Sequence, residues 1–152
     1  MNSNTPIHLI IVELFERLGL RQPAADSDGV SVLSFDEVDV LLSVEEQAVV
    51  FFARVGEAPG DSPAFLEALL AANLFWQESA GATLSLEPFS RSVILARRLV
   101  LAEIGSVDQL ELQVEAFAQS AVTWTRSIPQ LGRVETIEGV GARPDSMLMS
   151  RA

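Results

Sequence analysis

Between Val30 and Val55 the chain places three short apolar runs, Val30 to Phe35, Val38 to Ser43 and Ala48 to Val55, with only Asp36-Glu37 and Val44 to Gln47 between them. Connections this short cannot hold a helical crossover, so the runs can pair only as antiparallel hairpins. In the third run both alternating sets are apolar: Val49, Phe51, Ala53 and Val55 on one face, Val50 and Phe52 on the other. Successive side chains of a strand point to opposite faces, so such a run asks for cover on both sides. A sheet with helices on one side only would leave Val50 and Phe52 on an open apolar face.

The rest of the chain supplies helices and two more strands. Thr5-Pro6 joins a capping hydroxyl to a ring whose fixed φ suits the first helical position. Ile7, Ile10, Ile11, Leu14, Phe15 and Leu18 then recur at helical spacing until Gly19, which predicts a helix over 6–18. Gln22 to Gly29 is polar and turn-rich, a loop. Ser62-Pro63 repeats the start signal, and Phe65, Leu66, Leu69, Leu70, Ala72 and Leu74 carry a second helix to about Asn73. Ala82, Leu84 and Leu86 alternate with polar residues as a half-buried strand. Pro88 to Ser90 turns the chain into a fifth strand, Val93 to Val100, whose interior holds Arg97 and Arg98. Ser106 with Gln109 forms a capping box before Val107, Leu110, Val114, Phe117, Ala121, Trp124 and Ile128, a long third helix ending near Pro129. Beyond Leu131 come three glycines and Pro144, so 132–152 reads as a flexible C-terminal tail with at most a weak strand at 134–140, and 1–131 as a single domain. The order α-β-β-β-α-β-β-α is an α+β fold, a twisted antiparallel sheet covered by helices.

At 152 residues the chain can bury an ordinary core, yet 49% of it is hydrophobic and its mean hydropathy is +0.31, a surplus that needs a destination. Twenty-one acids against ten arginines and no lysine give a net charge of −11. That field repels phosphate backbones and anionic headgroups, which argues against a nucleic-acid partner and against membrane insertion, and it suits a neutral or basic protein segment. No apolar run is long enough to span a bilayer and no leader-like opening is present, so the expected location is the cytoplasm.

Catalytic chemistry is poorly provided for. Without cysteine there is no thiol nucleophile or thiolate metal site, and His8 is the lone histidine. Asp26, Asp28 and Gly29 resemble the start of a calcium loop, but the glycine comes two residues early and the intervening ligands before Glu37 are missing. Gly139-Val140-Gly141 lacks the third glycine and helix of a dinucleotide site. Asp36, Glu37 and Asp39 sit at a hairpin turn, where charge faces water. No metal, no cofactor and no enzymatic activity are expected. A small enzyme using an Asp or His8 in an apolar pocket is the rival, and it demands a deep closed cavity.

The chain resembles the class I type III secretion chaperones, the Tir-chaperone family. The likeness rests on Phe15-Glu16-Arg17-Leu18-Gly19-Leu20, on Leu33-Ser34-Phe35-Asp36-Glu37, and above all on Leu69-Leu70-Ala71-Ala72-Asn73-Leu74 followed by Gly81-Ala82-Thr83-Leu84-Ser85-Leu86-Glu87. Val93-Ile94-Leu95-Ala96-Arg97-Arg98-Leu99 and a last helix with Phe117 and Trp124 complete it, over about residues 7 to 131. Val100 stands where a proline is usual. The resemblance implies a homodimer formed largely through the second helix and the neighbouring strands, and an N-terminal effector segment wrapped around it in extended form, with a short strand on a sheet edge and apolar side chains in grooves beside the first helix. The secretion-system ATPase is a further implied partner. Ile7, Ile11, Leu14, Val32, Val50, Phe52 and Arg97 are the expected effector contacts; Phe65, Leu69, Leu74 and Trp76 are the expected dimer contacts. A regulatory adaptor of the same fold, holding a transcription factor or other regulator, is the alternative.

Overall fold

Two-residue and three-residue connections dictate the centre of the molecule. The computed structural model describes residues 7–19, 30–77 and 79–133. Within them β1 (Val30–Phe35), β2 (Val38–Val44) and β3 (Ala48–Glu57) form consecutive antiparallel hairpins. Asp36-Glu37 closes the first so that Phe35 faces Val38, and that closure fixes every pair behind it, back to Val30 opposite Ser43. β4 (Thr83–Leu86) and β5 (Ser92–Val100) add a third hairpin, and the sheet order is β1-β2-β3-β5-β4. β3 runs on to Glu57 rather than stopping at Val55, through a register shift between Arg54 and Gly56. The Thr5-Pro6 start, the 22–29 loop with its two aspartates, and both the weak strand and the tail beyond Arg133 lie outside the described residues.

Three helices complete the unit: α1 (Ile7–Arg17), α2 (Pro63–Ala72) and α3 (Val107–Ser127). The starts of α2 and α3 are made by side chains, as the sequence predicts. Ser62 Oγ accepts the Phe65 N–H at 3.3 Å, and Ser106 Oγ accepts the Gln109 N–H at 3.2 Å while Gln109 Oε1 accepts that of Gly105 at 3.0 Å. α3 lies across β3 and β2, and α1 packs against α3. Arg17 at the end of α1 pairs with Asp108 and, at 3.5 Å, with Glu111 in the opening turns of α3.

The core fills the space between the helices and one face of the sheet. Val49, Phe51, Ala53 and Val55 are buried on that face, with Phe51 and Phe117 ring centroids 5.7 Å apart. Enclosing one phenylalanine of this kind is worth roughly 1.5–3 kcal/mol. At Gly56 an added Cβ would fall 2.5 Å from Ile128 Cγ2, so only glycine lets the end of α3 close onto the sheet at the register shift.

Candidate functional site

Among the described residues no helix covers the other face of the sheet. Hairpin register builds one cross-strand row there, Val32–Leu41–Phe52–Ala96–Thr83, which touches all five strands. Val32 is 53% exposed, while Leu41, Phe52 and Ala96 are half-buried by one another. The next row is Val30–Ser43–Val50–Arg98, and its arginine is anchored to Glu45 at 2.9 Å. The result is an apolar band with charge at its margin.

The two edges of this sheet differ. On β4, the Leu84 N–H donates to Asn73 Oδ1 at 2.8 Å and Asn73 Nδ2 donates to the Leu84 carbonyl at 2.9 Å. One amide side chain thus occupies, at Leu84, a donor and an acceptor that an added strand would use. On β1, among the described residues, no hydrogen bond arrives from outside the sheet. β1 also carries Val32, the most exposed member of the apolar band.

A second surface, unpartnered among the described residues, lies on α2. Phe65, Leu69 and Ala72 face the protomer's own core, and Leu66, Leu70 and Leu74, spaced by four, face outward with Leu70 73% exposed. Phe75 and Trp76 continue the stripe beyond the helix, both with left-handed backbones at φ 56 and 55. For residues other than glycine that conformation costs roughly 1–2 kcal/mol each. It is held by the Trp76 N–H on the Asn73 carbonyl at 3.1 Å and the Gly81 N–H on the Trp76 carbonyl at 3.2 Å. Backbone strain of this kind is kept where the surroundings fix it, and here it turns two aromatic rings toward solvent.

The residues expected from sequence separate accordingly. Val32, Val50 and Phe52 come together on the open face. Ile7, Ile11 and Leu14 do not join them: they are buried in the core, because the apolar stripe of α1 is what packs it onto the protomer, and α1 exposes His8, Leu9, Glu13, Glu16 and Arg17. Arg97 lies on the helix-covered side, where its guanidinium donates to Gln113 Oε1 at 2.6 Å and to the Ala80 carbonyl at 3.1 Å, over Gly81. Of the expected dimer contacts, Leu74 and Trp76 are exposed, but Phe65 and Leu69 are interior. Leu41, Leu66 and Leu70 were not among the expected residues. Leu41 had a signal, since the two-residue turn places it opposite Val32; Leu66 and Leu70 repeat as regularly as Phe65 and Leu69, and periodicity alone does not say which stripe faces in.

Trp124 is buried on α3, and the groove of about 630 Å³ between the β1–β2 turn and α3 is open, with Phe35, Ala118 and Val122 as its floor and Asp36, Glu37 and Glu115 on its rim. Glu37 is taken up by Arg126. His8 lines neither this groove nor the one around Ile128 and Pro129. Among the described residues no three His, Asp or Glu side chains gather as a metal site, and no helix is long and apolar enough to cross a membrane. The arrangement presents surface and hydrogen-bonding edge, which is equipment for holding a polypeptide.

The chain is similar to known proteins in sequence and in fold. The sequence model of the Tir chaperone protein (CesT) family matches residues 9–125. A Tir chaperone of Citrobacter freundii is 25% identical over 114 residues, 74% of this chain and 72% of that one. Among solved structures, the ExsC–ExsE complex superposes with a TM-score of 0.67 at 20% identity, covering 84% of this chain and 97% of the other, a likeness of fold. The Yersinia pestis type III secretion chaperone SycH, solved with a stable fragment of YscM2, superposes with a TM-score of 0.57 at 25% identity over 76% of this chain and 97% of that one.

Proposed function

We infer what the chain does from one premise: it belongs to the Tir chaperone protein (CesT) family. It acts as a type III secretion chaperone, binding the N-terminal segment of one or more secreted effectors and keeping it extended in the cytoplasm until export. The observation that carries this reading is the apolar row Val32–Leu41–Phe52–Ala96 ending at the edge of β1, which no described residue pairs. An extended guest segment added beside β1 gains main-chain hydrogen bonds and places alternate side chains over Val32 and Leu41. Because the guest loses its conformational freedom on binding, a wide contact is needed, and the band across the sheet offers one. The work is done by binding energy, with no chemical step and no cofactor.

The α2 stripe is the dimer surface on the same reading. Leu66, Leu70, Leu74, Phe75 and Trp76 together make an apolar patch of the kind a second copy covers in an isologous contact. The working unit is the domain up to residue 131.

The test is co-expression with the N-terminal segments of proteins secreted by the same host, followed by hydrogen exchange on any stable complex. A cognate segment should slow exchange along β1 and spare β4. Binding that leaves β1 unprotected would refute the edge assignment, and a folded transcription regulator as the sole ligand would favour the adaptor reading instead.

A further inference from the structure

We propose that the groove between the β1–β2 turn and α3 is the seat of a segment of the same chain, Arg143 to Arg151, with Met147-Leu148-Met149 on its apolar floor and the two arginines against its acidic rim. The proposal draws on neither the β1 edge nor the α2 stripe, so it stands or falls apart from the chaperone reading above.

The groove is built from one hairpin turn and one helix face. Phe35 closes β1, Ala118 and Val122 are four apart on α3, and Asp36, Glu37 and Glu115 edge the strip they make. The ion pair of Arg126 with Glu37 ties the turn to the end of α3. It uses one of the three rim charges, and among the described residues no cation lies within ion-pair distance of Asp36 or Glu115. An apolar strip between carboxylates selects a ligand that is apolar in the middle and cationic at its ends. At about 630 Å³ the space takes several side chains.

The sequence holds one such stretch beyond Arg133. Met147-Leu148-Met149 is the only run of three apolar residues there, and Arg143 and Arg151 stand on either side of it. Residues 141–152 carry two arginines and one aspartate, against eight arginines and twenty acids in 1–140, so this is the part of the chain that the acidic rim attracts. Methionine is unbranched and adapts to irregular apolar surfaces, which suits a shallow open floor. The open face of the sheet suits the segment less well, because its apolar band has Arg98 at the margin.

The tether reaches. Arg133, the last described residue before the segment, donates its N–H to the Gln130 carbonyl at 3.2 Å. From Gln130 back to Thr123, at the groove, is about 12 Å along α3 and the 3-10 turn that follows it. Residues 134–146 span about 45 Å when extended, several times what is needed. A tether of this length holds the segment near the groove at an effective concentration on the order of mM. Any outside ligand of the groove therefore has to displace the chain's own arginine-flanked triple.

The absence of cysteine allows a test in the full-length chain. Gln119 is exposed and lines the groove, while Pro59 is exposed and lines the same pocket as Arg133, where the tether begins. A segment with no seat meets Pro59 at least as often as Gln119. In a glutathione redox buffer, Gln119→Cys/Leu148→Cys should therefore close an intrachain disulfide at least tenfold faster than Pro59→Cys/Leu148→Cys, since the bond needs Cα atoms within about 7 Å. Adding Arg143→Glu and Arg151→Glu should bring the first rate down to the second. Independently, Leu148→Asp should shift the amide resonances of Phe35, Asp36 and Gln119 and leave those of Ser85 and Ile94 on the open sheet face unmoved. A Gln119 pair that links no faster than the Pro59 pair, or links only between chains, together with unmoved groove resonances in Leu148→Asp, would overturn the proposal.

Discussion

α3 and α2 are both rich in leucine and alanine, yet they solve different problems. α3 spans 21 residues with one apolar stripe, Val107, Leu110, Val114, Phe117, Ala121 and Trp124, and that stripe is buried. Its other sides carry Asp108, Glu115, Gln119 and Arg126 and meet water. α2 has ten residues and is apolar nearly all round, so one stripe packs inward and another of comparable bulk is left outside. A helix with one stripe needs one partner; a helix with two needs a second, and the protomer supplies only the first.

The sharpest way to break that contrast is to truncate the two stripes of α2 separately. Phe65→Ala empties a fully enclosed site and should lower unfolding stability by about 3–5 kcal/mol in urea titration at fixed protein concentration, leaving the mass of the folded fraction unchanged. Leu70→Asp should do the reverse, halving the mass in light scattering while the circular dichroism of the protomer is retained. If Leu70→Asp unfolds the chain and Phe65→Ala merely dissociates it, the inward and outward stripes have been exchanged.

A smaller effect tests the two sheet edges against each other. Asn73→Ala leaves the Leu84 N–H and carbonyl without partners, at a cost of roughly 1–3 kcal/mol. The Leu84 amide should exchange faster, and the variant should self-associate through β4. Unchanged exchange at Leu84 would show that the clasp does not hold the edge.

The smallest effect concerns the Phe89 turn. The Ser90 hydroxyl, with the backbone N–H groups of Ser90 and Phe89, holds the Glu87 carboxyl below its ordinary range. Its pKa is thus lower folded than unfolded, so the stabilisation is present above the ordinary carboxylate pKa and is lost as pH falls through the lowered value. Amide exchange at Phe89 and Ser90, corrected for intrinsic rate, should quicken over that acid range in the parent and show no such step in Glu87→Gln. An identical profile in both proteins would mean that Glu87 does not fix the turn.

Much of this architecture was legible before any coordinates. Turn lengths set the hairpins, Ser62-Pro63 and Ser106 with Gln109 set two helix starts, and alternation put Val32, Val50 and Phe52 on one face. Helix phase was harder to read. Phe65/Leu69 and Leu66/Leu70 differ by one residue, or 100° of rotation, and only the docking of α2 against β4 chooses between them. Ile7, Ile11 and Leu14 lie in the protomer's core for a related reason: the most apolar stripe of a helix is the one its own protomer claims. Arg97 shares its side of β5 with Val93, Leu95 and Leu99, so strict alternation already pointed it inward. The left-handed backbone at Phe75 and Trp76 had no sequence signal, since neither is a glycine or asparagine.

The Asn73 clasp also sets a direction. A sheet with two receptive edges can join its neighbours end to end without limit, the route by which soluble β proteins become fibres. With the Leu84 position of β4 taken by a single amide, strand addition is directed to β1, the edge that no described residue pairs. The same side chain therefore gives the sheet a preferred side for growth, which suits a protein that must hold an unfolded guest at high local concentration without polymerising along with it.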